Sequence, residues 1–362
     1  MMVPVMLAIE ASDLLANAGR LGILAVPALL GVLVVRLRQV PDVPAAIGAL
    51  NTYTLHLGFP ALIAVGVLEV DPSVASTWGF WAVIPVVDLV LIAISWAVGR
   101  RLAGRQGGSI AIVLLFGNTA YLGLPFAVSV LGEPARGPAS LLVAVQVTLA
   151  VLVGPVLLQR WSGDGHGSVD WARLFRQPLL LAPFAAVMVR QLPDGVVGGV
   201  HDVLGPLAAS TAPVAMFLLG LYLVENWELV RTAEHGVWTH VVLRMLVAPA
   251  VNAAVAVWLF EIGTISSTTM AVIVVLGGMP AAISTFSIAH HEGVAADRVA
   301  SVVVRSSVTA LVTMPVLATV ATAVLLLSGC LEADVRFLAS DEMGGRNNGT
   351  ARAHRGLDAG DQ

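Results

Sequence analysis

Three ionisable side chains stand deep in apolar sequence, where a charge is costly and usually has a task. Asp88 lies in PVVDLVLIAIS, Arg244 in HVVLRMLVAP and Arg305 in ASVVVRSSVTALV. A lone carboxylate in such a setting suits proton coupling, loading on one side of a barrier and unloading on the other. A guanidinium suits an anion, because its planar fork makes two parallel hydrogen bonds to a carboxylate. Ser306, Ser307 and Thr309 make the Arg305 face polar, which favours Arg305 over Arg244 as an anion ligand. Both arginines lie about 12 Å into their helices at 1.5 Å per residue, so snorkelling to lipid headgroups is the competing assignment for each. His56, after Asn51, Thr52 and Thr54, could relay protons or be a satisfied buried histidine. Gln146, alone in an apolar run, could face a solute or bond a neighbouring helix.

A second kind of chemistry resides in the backbone. The run Phe116-Gly117-Asn118-Thr119-Ala120-Tyr121-Leu122-Gly123-Leu124-Pro125 has two glycines, an Asn-Thr pair and a proline inside apolar sequence. Proline removes a donor and clashes with the preceding turn, and the others weaken the helix further. Gly277-Gly278-Met279-Pro280 interrupts a later run in the same manner. Unwound backbone at membrane depth is tolerated only inside protein or beside a water-filled cavity. Two such breaks would gather free amides, free carbonyls and half-helix dipoles at one place. Hydrolytic chemistry has no comparable signal. There is no G-x-S-x-G or paired-aspartate motif, His290, His291 and Glu292 do not form H-E-x-x-H, and the single cysteine, Cys330, cannot make an internal disulfide. The expectation is therefore no catalytic residue, no metal and no cofactor.

The elements that must position these groups follow from composition. Of 362 residues, 57 % are hydrophobic and 12 % charged, against about 25 % charged in soluble domains. The mean hydropathy is +0.89. At about 20 residues per membrane helix, this suffices for about ten spans. A soluble enzyme, a disordered chain and an outer-membrane barrel are excluded, the last because its strands alternate polar and apolar. A net charge of -4, with all 19 basic residues arginine, favours no nucleic-acid partner. The N-terminus lacks the pattern of a cleaved signal.

Spans are expected near 14–36, 45–68, 78–99, 109–131, 137–158, 178–192, 200–224, 237–260, 266–290 and 298–328. The break at 159–177 divides the chain into a first five-helix half (1–158) and a second (178–328), joined by a cytoplasmic linker. Residues 1–13 read as a lead-in and 329–362 as a disordered polar tail. Alternate loops hold ten arginines: 36, 38, 100, 101, 105, 160, 173, 176, 231 and 298. The opposite loops hold Arg136 and Arg190 against Glu69, Asp71, Glu133, Asp194 and Glu261. The arginine-rich side is then cytoplasmic and both termini lie outside.

Prolines mark a repeat. Pro27/Pro183, Pro60/Pro213, Pro85/Pro249, Pro125/Pro280 and Pro155/Pro315 recur at offsets of 156, 153, 164, 155 and 160. Pro85-Val86-Val87-Asp88 mirrors Pro249-Ala250-Val251-Asn252. With five spans per copy the second copy is inverted, the arrangement of secondary transporters whose sites lie at broken helices near the midplane.

GNTAYLGLP at 117–125 resembles the motif of the auxin efflux carrier family, in its compact bacterial, malonate-permease-like branch. PVAMFLLGLYL, MPAAISTFSIAHHEGVAADRVAS and SSVTALVTMPV add to the resemblance, which covers 14–328. It implies an all-α integral membrane protein of ten helices in two inverted five-helix repeats, with helices four and nine broken and crossing. It also implies that Pro125, Pro280 and Asn118 are the crossover residues, and it supports an acidic group in the third helix, here Asp88.

The expected function is a secondary active permease or efflux carrier in the plasma membrane, moving a small organic anion, a carboxylate, by alternating access. Its partners are that anion and the lipid bilayer, with proton or sodium coupling and a homodimer left open. Expected substrate residues are Asn118, Thr119, Gly123, Pro125, Gly277, Gly278, Pro280, Gln146 and Arg305, with Asp88 and His56 for coupling. A cation exchanger on the same architecture is the alternative, disfavoured by the lone Asp88. A membrane-embedded enzyme is the more distant one.

Overall fold

The computed structural model describes residues 11–101, 107–162, 178–228, 236–291 and 295–339. Residues 1–10 of the expected lead-in (1–13), most of the linker (163–177), the loop arginines Arg105 and Arg231, Glu292 and the tail from 340 lie outside them. Twelve helices run in order: α1 (Ala11–Arg36), α2 (Val43–Glu69), α3 (Trp78–Arg101), α4 (Gly107–Leu115), α5 (Thr119–Leu131) and α6 (Arg136–Ser162). Then come α7 (Pro178–Val189), α8 (Asp194–Glu225), α9 (Val237–Glu261), α10 (Ser267–Gly277), α11 (Ile283–His291) and α12 (Ala296–Ala339). Among the described residues there is no strand beyond one isolated bridge. Two boundaries move: α6 reaches Ser162, inside the expected linker, and α12 runs past 328 to Ala339.

Seven helices, α1, α2, α3, α6, α8, α9 and α12, are long and apolar enough to cross a membrane. Three of the expected spans are not among them. Two are interrupted, one as α4 and α5, the other as α10 and α11, and α7 has only 12 residues. Large apolar side chains face outward along the long helices, including Leu15, Ile23, Leu29, Val203 and Val312. Trp78, Trp96, Trp227, Trp238 and Trp258 are exposed near helix ends, as the aromatic girdles of a bilayer protein are. In contrast, residues 108–124 and 269–283 are buried almost without a gap. The interrupted helices therefore form the centre of the molecule.

Prolines act in two ways. Pro27, Pro85, Pro155, Pro183, Pro206, Pro213 and Pro315 sit inside helices that carry no π turn. Pro60, Pro125 and Pro249 each follow a five-residue π turn by one residue, at Thr54–Gly58, Thr119–Gly123 and Leu243–Val247. A proline cannot donate to the carbonyl four back and pushes against it. The wider turn absorbs this, because the next amide reaches five residues back: Phe59 to Thr54, Leu124 to Thr119 and Ala248 to Leu243. Such turns recur at functional sites.

The two breaks meet. Gly117 and Ala281 form an antiparallel bridge. The Asn118 amide donates to the Pro280 carbonyl at 2.7 Å, and the Ala282 amide to the Phe116 carbonyl at 3.0 Å. Exchanging 116 with 280 and 118 with 282 maps one bond onto the other, so this local pattern has two-fold symmetry at a spacing of 164 residues. That is the spacing of Pro85 and Pro249, whereas Pro125 and Pro280 are 155 apart. Pro280 lies in the break itself, and Pro125 lies seven residues past Asn118, beyond the π turn.

Candidate functional site

An interrupted helix leaves carbonyls at its C-terminal end and amides at the next N-terminal end without intrahelical partners. In hydrocarbon each must be satisfied by protein. Here both C-terminal ends, of α4 and of α10, come to the bridge. Arg244, from the π turn of α9, serves both of them. Its Nε donates to the Met279 carbonyl at 2.8 Å, Nη1 to Leu114 at 2.7 Å and Nη2 to Gly277 at 3.4 Å. Gln146 of α6 donates from Nε2 to the Leu115 carbonyl at 3.1 Å. Ser306 of α12 accepts from the Ala281 amide at 3.1 Å and donates to the Val303 carbonyl. Cations are favoured at helix C-termini, so a guanidinium there is stabilising on charge as well as on hydrogen bonds.

Asn118 is the exception to this satisfaction. It is 1 % exposed, and neither Oδ1 nor Nδ2 has a hydrogen-bond partner among the described residues. Its backbone is engaged on both sides, donating to Pro280 and accepting from Leu122 and Gly123. A buried amide offering one acceptor and two donors is costly unless something binds it. It stands at the start of α5, where amides and the helix dipole favour negative charge.

The other expected residues are placed as follows. Thr119 is buried and opens the π turn. A side chain at Gly123 would run into Leu276 and Met279, one at Gly277 into Asn252 and one at Gly278 into Leu317, so these glycines permit the close approach of the segments. Asp88 is buried on α3, which packs on both α4 and α9, and lies within electrostatic reach of Arg244. Arg305, also buried, is adjacent to Ser306, and its guanidinium stands 5.2 Å from the Trp238 ring centroid. His56 is exposed, with Nδ1 against the Thr52 carbonyl of its own helix. It is not among the residues hydrogen-bonded at the crossing.

Residues that sequence reasoning did not single out tie α5 to its surroundings. The Tyr121 hydroxyl donates to Asn51 Oδ1 at 3.2 Å, lies 3.5 Å from Thr54 Oγ1, and its ring meets Phe59 edge-on. Thus the π turns of α2 and α5 face each other. Tyr222 of α8 is buried beside Phe286 of α11, and its hydroxyl has no hydrogen-bond partner among the described residues. Among the described residues, no three His, Cys, Asp or Glu side chains come together to hold a metal.

Residues 166–318, which include α10, α11 and the break between them, match the family model described as membrane transport protein. Over this part the chain is similar to that transporter family. The match agrees with the resemblance of residues 117–125 to the auxin efflux carriers. Over 314 residues the chain is 26 % identical to a Rhizobium meliloti protein named "Putative malonate transporter", covering 84 % of this chain and 94 % of the relative. Over 274 residues it is 27 % identical to an "Uncharacterized transporter" of Methanothermobacter thermautotrophicus, covering 74 % of this chain and 86 % of that one. The seven long apolar helices and these similarities support a multi-pass membrane protein, and the meeting of its two breaks is the place where backbone and buried polar groups converge.

Proposed function

We propose that this protein is a secondary active transporter that moves a small organic anion, a carboxylate, by alternating access about the crossing of the two broken helices. The observation that carries this reading is Asn118, buried at the crossing with both side-chain polar atoms unpartnered beside the N-terminal end of α5. An anion there would accept from Nδ2 and from the first amides of α5, and a protonated or hydrated group would be accepted by Oδ1. The name of the Rhizobium meliloti relative supports a carboxylate.

In this reading the chain has ten spans in two inverted five-helix repeats, supported by the meeting of two interrupted helices at Gly117 and Ala281. Thr119, Gly123, Pro125, Gly277, Gly278, Pro280 and Gln146 shape the site, and Arg305 supplies positive charge. Asp88 carries a coupled proton, with His56 a less central candidate because of its exposure. The plasma membrane is the proposed location, with the arginine-rich loops inside by the charge rule. Catalysis has no proposed residue, since the family and both relatives are named as transporters.

The test is uptake of radiolabelled malonate into proteoliposomes. Saturable uptake is expected, and Asn118→Ala should lower it by about tenfold or more, the worth of a hydrogen-bond pair of about 1.4 kcal/mol, with folding unchanged. Wild-type vesicles no better than empty ones towards malonate and other short mono- and dicarboxylates would overturn the reading.

A further inference from the structure

We propose that Arg244 is the positioning residue of the crossing, holding the two broken helices in place through their backbone carbonyls and contacting neither the transported solute nor lipid. Two readings suggested by sequence, anion ligand and snorkelling cation, both need a guanidinium with a free edge. Arg244 is 1 % exposed and spends Nε, Nη1 and Nη2 on Met279, Leu114 and Gly277. Those carbonyls belong to different broken helices, far apart in the chain. A single planar fork with donors along two edges can serve both at once, and an ammonium, which concentrates its donors at one point, cannot reach both ends equally.

Charge and shape agree with this role. Both C-terminal ends carry partial negative charge, and bringing them together without a cation would be repulsive. Arg244 neutralises them, and Asp88 stands within its electrostatic reach. The bridge residue Gly117 is matched to the arginine, since a Cβ there would fall on the Nη2 atom of Arg244. Asn252, one helical stretch farther along α9, packs against Gly277, so the same helix touches the same break twice. Through Leu114 and Met279 the guanidinium fixes the two strands of the bridge, and through the bridge it fixes Asn118. The transport part of this inference rests on the proposed function, and the structural part does not.

The test measures hydrogen exchange of the Asn118 and Ala282 amides in protein reconstituted in nanodiscs, alongside malonate flux. In Arg244→Gln both amides should exchange about tenfold faster or more, because the bridge opens locally, and Arg244→Lys should recover less than half of that loss. Gly117→Ala keeps the arginine but displaces it. It should give the same exchange signature, and should add little in the Arg244→Gln background. Malonate Vmax per folded molecule should fall about tenfold in each. Unchanged exchange at Asn118 and Ala282 in Arg244→Gln would overturn the proposal, as would full recovery by lysine, which would leave only a charge effect. If Arg244→Gln fails to fold, unchanged exchange in Gly117→Ala overturns it alone. A wild-type protein that moves no malonate, yet shows these exchange changes, would count against the proposed function and uphold the role of Arg244.

Discussion

Gln146 donates its side-chain amide to the Leu115 carbonyl across 3.1 Å, one residue beyond the Leu114 carbonyl that receives Arg244. The last turn of α4 is thus closed by side chains from α6 and α9, where a continuous helix would have used its own amides. Gln146→Leu should leave the Leu115 carbonyl buried and unsatisfied, at a cost of about 1–3 kcal/mol. Thermal unfolding in detergent would register this, and an unchanged melting temperature would show that another donor takes over.

The close contact of α1 and α8 rests on Gly31 and Gly220. A Cβ on Gly220 would fall on the Ala28 carbonyl, and one on Gly31 on the Phe217 carbonyl. Backbone cannot swing aside as a side chain can, so Gly220→Ala should destabilise by about 1–3 kcal/mol. Gly22, with nothing near its Cβ position, is the control. Gly22→Ala should be neutral or stabilise by up to about 1 kcal/mol through helix propensity. Equal melting temperatures for the two variants would contradict the close packing.

Asp88 and Arg244 are both buried and lie within electrostatic reach of each other beside the crossing. Asp88→Asn fixes the neutral form of this group. Malonate flux should then lose its dependence on external pH while binding persists. Flux that keeps its wild-type pH profile would assign coupling elsewhere.

Arg305 should act on affinity. Arg305→Lys keeps the charge but loses the fork, and should weaken malonate binding by about tenfold, with Arg305→Ala weaker still. Calorimetry would read both. Normal binding by Arg305→Ala would leave this arginine to Trp238 and the lipid boundary.

At the loop between α5 and α6, Arg136 donates from Nε and Nη2 to the two oxygens of Glu133, at 2.7 and 2.8 Å. This pairing holds the Glu133 carboxyl below its ordinary value. A depressed carboxylate stabilises above its unfolded pKa, about 4.3, and that stability disappears as pH falls through the lower folded value. The group is exposed, so the effect is small. The melting temperature should fall slightly between about pH 5 and pH 3, and by less in Glu133→Gln.

The long apolar runs and the position of both breaks were legible in sequence, because glycine, proline and Asn118 act locally. Asn118 is singled out by the resemblance of residues 117–125 to the auxin efflux carriers. The role of Arg244 was not legible. Its partners are carbonyls of Leu114, Gly277 and Met279, and a carbonyl has no identity in sequence. The π turns were not legible either: Pro60, Pro125 and Pro249 each stand just beyond one, whereas Pro27, Pro85 and Pro155 lie in helices without one.

Those turns alter the angular phase of a helix. At about 100° per residue, Arg244 and Asn252 on an uninterrupted α-helix would point about 80° apart. The single extra residue of the Leu243–Val247 turn takes up roughly that angle and brings the two side chains onto one meridian of α9. Both then meet Gly277, one by hydrogen bond and one by packing. A helical wheel drawn straight through 237–261 therefore misassigns the face that reads the break, and removing one turn residue between Arg244 and Asn252 would rotate the two out of alignment without altering either side chain.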